Sequence, residues 1–261
     1  MKDILNIALI QANLLWENTQ GNLNYFDKKI ESISSDIDLV VLPEMFSTGF
    51  SMNPTSLFET MDGVSISWMQ KTALKRQLAV VGSLIIKESD TYYNRLIFVH
   101  PNGEIHTYDK RHLFTYGGED KVYSSGNERL TVEYKGWKIC PMICYDLRFP
   151  VWSRNSDEYD ILIFIANWPK PRISAWDTLL KARAIENMCY TIGVNRVGVD
   201  GNNLEYIGHS QAIDMLGEEM IHIDNENETV FEVHLDKNKL NKSRNRFGFL
   251  NDTDAFSIVE R

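Results

Sequence analysis

Three side chains of different chemistry stand where apolar runs end. Glu44 follows DLVVLP, Lys110 follows IHTYD, and Cys144 follows KICPMI. In layered α/β folds, sites are built at the ends of strands. A carboxylate, an ammonium and a thiol meeting there suit acyl transfer. The thiol attacks a carbonyl or nitrile carbon, and the carboxylate takes its proton and returns it to the leaving amine. The ammonium stabilises the oxyanion and favours the thiolate. Cys144 also lies at the tip of a buried strand beside what reads as a helix start, where backbone N–H groups face whatever it attacks. Taken singly, each residue has a plainer reading: a small core thiol, a solvated strand-end carboxylate, a surface lysine.

The elements that must position these groups can be read from periodicity. Residues 7–15 read as a first strand, and residues 22–33 as a helix with Leu23, Phe26, Ile30 and Ile33 on one face. Residues 38–42, 78–86 and 160–166 are continuous apolar runs, the pattern of strands buried on both faces. Residues 45–60 read as an irregular loop. Ile66, Met69, Ala73 and Leu74 align on a second helix. Pro101-Asn102-Gly103 marks a hairpin between 93–100 and 104–108, and Lys135-Gly136 marks another between 130–134 and 137–143. Residues 111–129 read as loop. Ser174 with Asp177 resembles a capping box opening a helix whose stripe is Trp176, Leu180, Ala184 and Met188. Residues 190–199, 209–215 and 228–235 read as further strands. The tail from about 240 to 261, polar with Phe247, Phe249 and Phe256, reads as a segment that covers a neighbouring subunit or folds back. This mix of buried strands, helices and hairpins points to a layered α/β domain over 1–261 with a mixed sheet or two facing sheets.

Composition narrows the function. The chain has 261 residues, 43% hydrophobic and 11% aromatic, enough for a sizeable core. Its net charge of −9 argues against sequence-independent nucleic-acid binding, which needs clustered Lys and Arg. Three cysteines fit a reducing, cytoplasmic compartment better than a disulfide framework. Cys140 and Cys144 on one extended strand stand about 13 Å apart, too far for a bridge. No apolar run reaches the length of a membrane span, and no CxxC or HxxxH spacing suggests zinc.

LPEMF (42–46), YDKRHLF (108–114) and CYDLRFP (144–150), in that order, resemble the nitrilase superfamily of carbon–nitrogen hydrolases. The resemblance spans nearly the whole chain. It implies an αββα four-layer sandwich with two mixed sheets, homo-oligomers built on a dimer, so that a homodimer is expected here, and no cofactor or metal. It implies a Glu44–Lys110–Cys144 triad working through a thioester. A second glutamate buttressing the lysine falls on Glu119, with Asp120 as its rival, and the backbone N–H of Tyr145 completes an oxyanion hole. Asp146 and Arg148 are expected to act structurally, as a turn or cap and an ion pair. Residues 165–202 resemble the bacterial omega-amidase branch, which implies terminal amides of 2-oxo dicarboxylic acids as small-molecule substrates. An acidic substrate needs a cation, and Arg172 is the candidate. Trp168, Phe46, Phe50 and Tyr116 are candidates for the pocket wall.

Other readings remain open at this level. Within the superfamily, an aliphatic amidase, a nitrilase or an N-carbamoyl amino acid hydrolase shares the same triad. A papain-like reading would pair Cys144 with His112. A binding module on the same fold would need none of this chemistry.

Overall fold

The computed structural model describes residues 2–222 and 226–259. The first half runs β1 (Ile4–Gln11), α1 (Thr19–Glu31), β2 (Leu39–Val41), the short α2 (Pro54–Leu57), α3 (Val64–Arg76), β3 (Ala79–Glu88), β4 (Thr91–Val99) and β5 (Ile105–Asp109). The second half runs β6 (Val132–Tyr134), β7 (Trp137–Ile143), β8 (Ile161–Ala166), α4 (Ile173–Asn187), β9 (Tyr190–Asn195), β10 (Val197–Val199), β11 (Glu205–Ile207), β12 (Gln211–Ile213), β13 (Glu219–His222), β14 (Thr229–Asp236) and α5 (Lys237–Phe247).

Two six-stranded sheets result, ordered β14-β1-β2-β3-β4-β5 and β13-β12-β9-β8-β7-β6. Each has a parallel centre, β1-β2-β3 in one and β7-β8-β9 in the other, with antiparallel strands outside it. Alternation along the strands decides the layers. Ile7, Leu9, Val41 and Val81 join one core with Ile139, Met142 and Ile163 of the second sheet. The intervening Ala8, Ile10, Val40 and Val80 join another with Phe26 of α1 and Met69 of α3. On the far side of the second sheet, Trp176 and Leu180 of α4 press on Gly193 of β9. A Cβ there would lie 2.4 Å from Leu180 and 2.8 Å from Trp176. The result is the αββα sandwich.

Several local expectations change. The first strand ends at Gln11. Leu74 is 59% exposed, because it stands about 100° around α3 from Ala73. Ser174 caps nothing. Arg172 occupies the N-cap position, and the Asp177 carboxylate turns away to His209 Nδ1 at 3.0 Å and to Gln211. The strand read over 190–199 breaks at Arg196, and β10 leaves to pair with β11. Part of the tail is helix: Asp236 caps α5 by accepting from the N–H groups of Asn238 and Lys239 at 2.8 and 3.1 Å. α5 buries only Leu240 and is held by Arg244, which donates to Tyr159 O at 2.6 Å and Met188 O at 2.8 Å. Residues 249–259 that follow are almost all exposed. Among the described residues, no helix is long and apolar enough to cross a membrane.

One edge of the sandwich is tied by Asp38, just before β2. Its carboxylate accepts from Lys2 and Lys135 Nζ at 2.6 Å and from Asn6 N–H at 2.9 Å, while Tyr134 OH donates to its carbonyl at 3.0 Å. Lys135 and Tyr134 belong to the second sheet's hairpin, so Asp38 joins the two sheets. Burial alone would raise the Asp38 pKa, but the Asn6 N–H and the two lysines outweigh it and hold it below the usual carboxylate range. Asp38→Asn should therefore lower stability at pH 7 by about 1–2 kcal/mol, given the half-exposed lysines. A group with a depressed folded pKa stabilises above its unfolded value of about 4 and loses that contribution as pH falls through the folded value. Denaturant melts of both proteins should thus differ at pH 7, and the difference should shrink as pH falls below about 4.

Candidate active site

The turn after β7 presents the nucleophile candidate. Cys144 has φ +42°, the left-handed region that a non-glycine residue enters only when its surroundings require it. Asp146 supplies the constraint. Fully buried, its carboxylate folds back onto Ile143 N–H at 3.1 Å. It also accepts from Tyr108 OH at 2.7 Å and His112 N–H at 3.0 Å, and it pairs with the His112 ring Nδ1 at 2.8 Å. Tyr108 is on β5, so the cysteine turn and the strand that carries Lys110 are stitched together. His112 is engaged by Asp146 and stacked on Phe149 at 3.7 Å, which leaves no basis for a Cys–His pair.

Lys110 extends from the end of β5 and is fully buried. Its Nζ donates to Glu44 Oε1 at 2.8 Å and to Glu119 Oε1 and Oε2 at 3.0 and 2.9 Å. Glu44 and Glu119 are also fully buried. Glu119 sits in a helical turn, where it accepts from Phe114 N–H at 2.6 Å; its rival Asp120 is exposed. Glu44 is anchored from the other sheet. Asn167, just after β8, donates its backbone N–H to Glu44 Oε2 at 2.9 Å and its side-chain Nδ2 to Glu44 O at 2.7 Å. Cys144 Sγ lies 4.0 Å from the carbonyl of Asn167. The sequence reading placed Asn167 at a strand end but missed this anchoring role.

The electrostatics follow from burial. Burial alone would favour a neutral lysine, but the Glu119 and Glu44 carboxylates overturn this and hold the ammonium firmly charged. Burial, with Glu44 nearby, raises the Glu119 carboxyl against the pull of Lys110. The Cys144 thiol is pushed well above its ordinary value by burial and then by Glu44; Lys110 opposes this without reversing it. The resting site therefore holds a thiol beside a carboxylate, and the lysine does not depress the thiol pKa as its type alone suggests. Such an arrangement delivers the thiol proton to a neighbouring base during attack.

A cavity of about 780 Å³ lies beside this group, none of whose four side chains is in its lining. Phe50 and Asn167 in its wall adjoin the polar cluster: the Phe50 ring centre is 5.1 Å from Lys110 Nζ. Tyr116 and Arg172 line it too. Two other candidates do not. Phe46 is fully buried in the helix-side core, with ring centres 5.6 Å from Phe26 and 5.7 Å from Trp68; Gly82 provides the room beneath it. Trp168 lies behind the cavity, donating Nε1 to Arg172 O at 2.7 Å and packing on Trp176. Arg148 makes no ion pair among the described residues; its guanidinium lies 5.0 Å over the Trp168 ring. Asp200 and Tyr206, joined at 2.9 Å, also line the cavity, and no sequence signal pointed to them. The backbone N–H of Tyr145 is in the first turn of the 144–148 helical segment, where N–H groups lack intrahelical acceptors. Among the described residues, no three His, Cys, Asp or Glu side chains form a metal-binding group.

A model of the family described as carbon-nitrogen hydrolase matches residues 6–245. The chain belongs to the carbon–nitrogen hydrolase family. Omega-amidase YafV of Escherichia coli is 42% identical over 254 residues, 97% of this chain and 98% of that one. The 2-oxoglutaramate amidase of Bacillus subtilis is 35% identical over 216 residues, 81% of this chain and 83% of that one. The crystal structure of XC1258 from Xanthomonas campestris, a CN-hydrolase superfamily protein with an arsenic adduct in its active site, superposes with a TM-score of 0.96. It is 42% identical and covers 99% of this chain and 100% of that one. This carbon–nitrogen hydrolase is an amidase.

Thiol chemistry tests the site's electrostatics. Cys140 and Cys189 are buried, and burial pushes each up to about 12. Cys144 is the one partly exposed thiol of the three, so iodoacetamide should label it alone, and slowly at pH 8 because its own thiol is held up as well, as read by peptide mass spectrometry. Glu44→Gln removes a charge that raises the Cys144 thiol, so the midpoint of labelling against pH should move lower, although loss of the base slows attack by the neutral thiol. A midpoint that stays or rises would contradict the assigned cause.

Proposed function

We propose that this amidase hydrolyses the terminal amide of 2-oxo dicarboxylic acid monoamides, such as 2-oxoglutaramate and 2-oxosuccinamate, to the acid and ammonia through a Cys144 thioester. The observation that carries the chemistry is the buried Lys110 held between Glu44 and Glu119 beside a strained, partly exposed Cys144. Glu44 takes the Sγ proton as sulfur bonds to the amide carbonyl carbon. Lys110 has three N–H donors; one meets Glu44 and one is shared between the two Glu119 oxygens, so the third serves the oxyanion, which Tyr145 N–H also meets. Glu44 gives its proton to nitrogen, the C–N bond breaks, and ammonia leaves the thioester. Glu44 then takes a proton from water as its oxygen bonds to the same carbon. The C–S bond breaks, and the proton returns to sulfur. Each oxyanion donor should be worth about 3–4 kcal/mol of barrier.

The substrate class draws support from the relatives bearing omega-amidase and 2-oxoglutaramate amidase names, and from Arg172. Among the described residues its guanidinium has no ion pair. It lies 5.0 Å over the Phe114 ring in the cavity wall, free to hold the substrate's distal carboxylate. A homodimer is part of the same reading, supported by Phe249, Phe256 and Ile258, which stay exposed beyond α5.

Cys144→Ala should abolish ammonia release from 2-oxoglutaramate; undiminished release would end the proposal. Arg172→Ala should raise KM for 2-oxo acid amides on the order of 10- to 100-fold, the loss of a charged hydrogen bond. It should leave neutral aliphatic amides within about threefold. An equal effect on both substrate classes would remove the role given to Arg172.

A further inference from the structure

On the face of β4 that points between the sheets, Leu96 and Phe98 are core residues and Asn94 is polar. Asn94 is fully buried. Its Nδ2 donates to Glu44 Oε1 at 2.8 Å and to Glu119 Oε1 at 3.2 Å. Its backbone carbonyl accepts from Lys110 N–H at 3.0 Å, which fixes it against the lysine's own strand. Its Oδ1 is buried with no partner among the described residues. The reverse amide orientation would set that oxygen against two carboxylates. The orientation adopted leaves one acceptor unsatisfied and serves both glutamates.

We propose that Asn94 is a positioning residue for the reaction: its amide NH2, shared between Glu44 and Glu119, holds the two carboxylates about Lys110 and keeps Glu44 aimed at Cys144. This rests on Glu44 acting as the general base. Two carboxylates around one lysine repel each other, and each disfavours the other's ionised form. A neutral donor bonded to both favours the charged forms without adding a cation that would hold the Cys144 proton off Glu44. It also selects the oxygen that reacts. Glu44 Oε1 already takes Lys110 and Asn94, so the thiol proton goes to Oε2. There the close donor is Asn167 N–H at 2.9 Å, with Asn167 Nδ2 farther away at 3.4 Å.

The test is the pH profile of kcat/KM for ammonia release by full-length variants, with thermal melts to establish folding. Asn94→Ala should lower kcat about 100-fold with KM within about threefold, because a positioning loss falls on the chemical step. Its acid limb should move about one unit to higher pH, because the ionised base has lost a hydrogen bond. Asn94→Ser, which keeps one donor, should fall between alanine and the wild type. A folded Asn94→Ala enzyme whose acid limb superposes on the wild type would overturn the proposal, even if kcat falls. Should the alanine variant fail to fold, the serine variant is judged by the same criterion. Glu44→Gln separates the two levels: if it stays active, the base assignment fails. If it is inactive while the Asn94 profiles are unmoved, only the role of Asn94 fails.

Discussion

A fully buried ammonium holds this site together. Lys110 has no exposed surface, and a charge in that position survives only with partners that replace its water. Glu44 and Glu119 are those partners, each reaching it within 3.0 Å. Removing one member of a buried ion pair typically costs about 3–5 kcal/mol. The three side chains come from the ends of β2 and β5 and from the loop that follows β5. Their mutual need therefore draws those segments into one place, and Asn167 reaches across from the second sheet to fix Glu44 from the other side.

The same cluster explains why the thiol rests protonated. A thiolate beside two carboxylates in a dry site would add a third negative charge around one lysine. Moving the thiol proton to Glu44 instead shifts a charge from oxygen to sulfur and leaves the total unchanged. The lysine serves both arrangements, so it can meet the charge wherever it develops. Nucleophilicity here belongs to the pair of Cys144 and Glu44 rather than to the sulfur alone.

The scaffold keeps this chemistry in register through carboxylates that do no chemistry themselves. Asp146 holds the strained cysteine turn and reaches to β5 through Tyr108. Asp38 closes the opposite edge, where the first sheet meets the hairpin of the second. Between them lies the apolar core shared by the two sheets, which the alternation on β1, β2 and β3 divides from the helix-side core. Ridged apolar faces set the separation of the sheets, and buried carboxylates set the relation of their ends.

The sequence by itself determined the family, the two-sheet sandwich and the ends at which Glu44, Lys110 and Cys144 stand. Apolar runs, hairpin turns and short motifs are local signals, each carried by contiguous residues. Glu119 over Asp120 was decided by which carboxylate the turn after Phe114 swings inward, and Phe46 and Trp168 were placed by packing behind the cavity rather than by their aromatic type. α5 escaped periodicity because its contacts are charged and its burial is a single leucine. Asn94 and Asn167 escaped because an asparagine in or after a strand carries no local mark of what it will face. Their partners lie 50 and 123 residues away along the chain, and only the closing of the two sheets brings those groups within hydrogen-bonding distance.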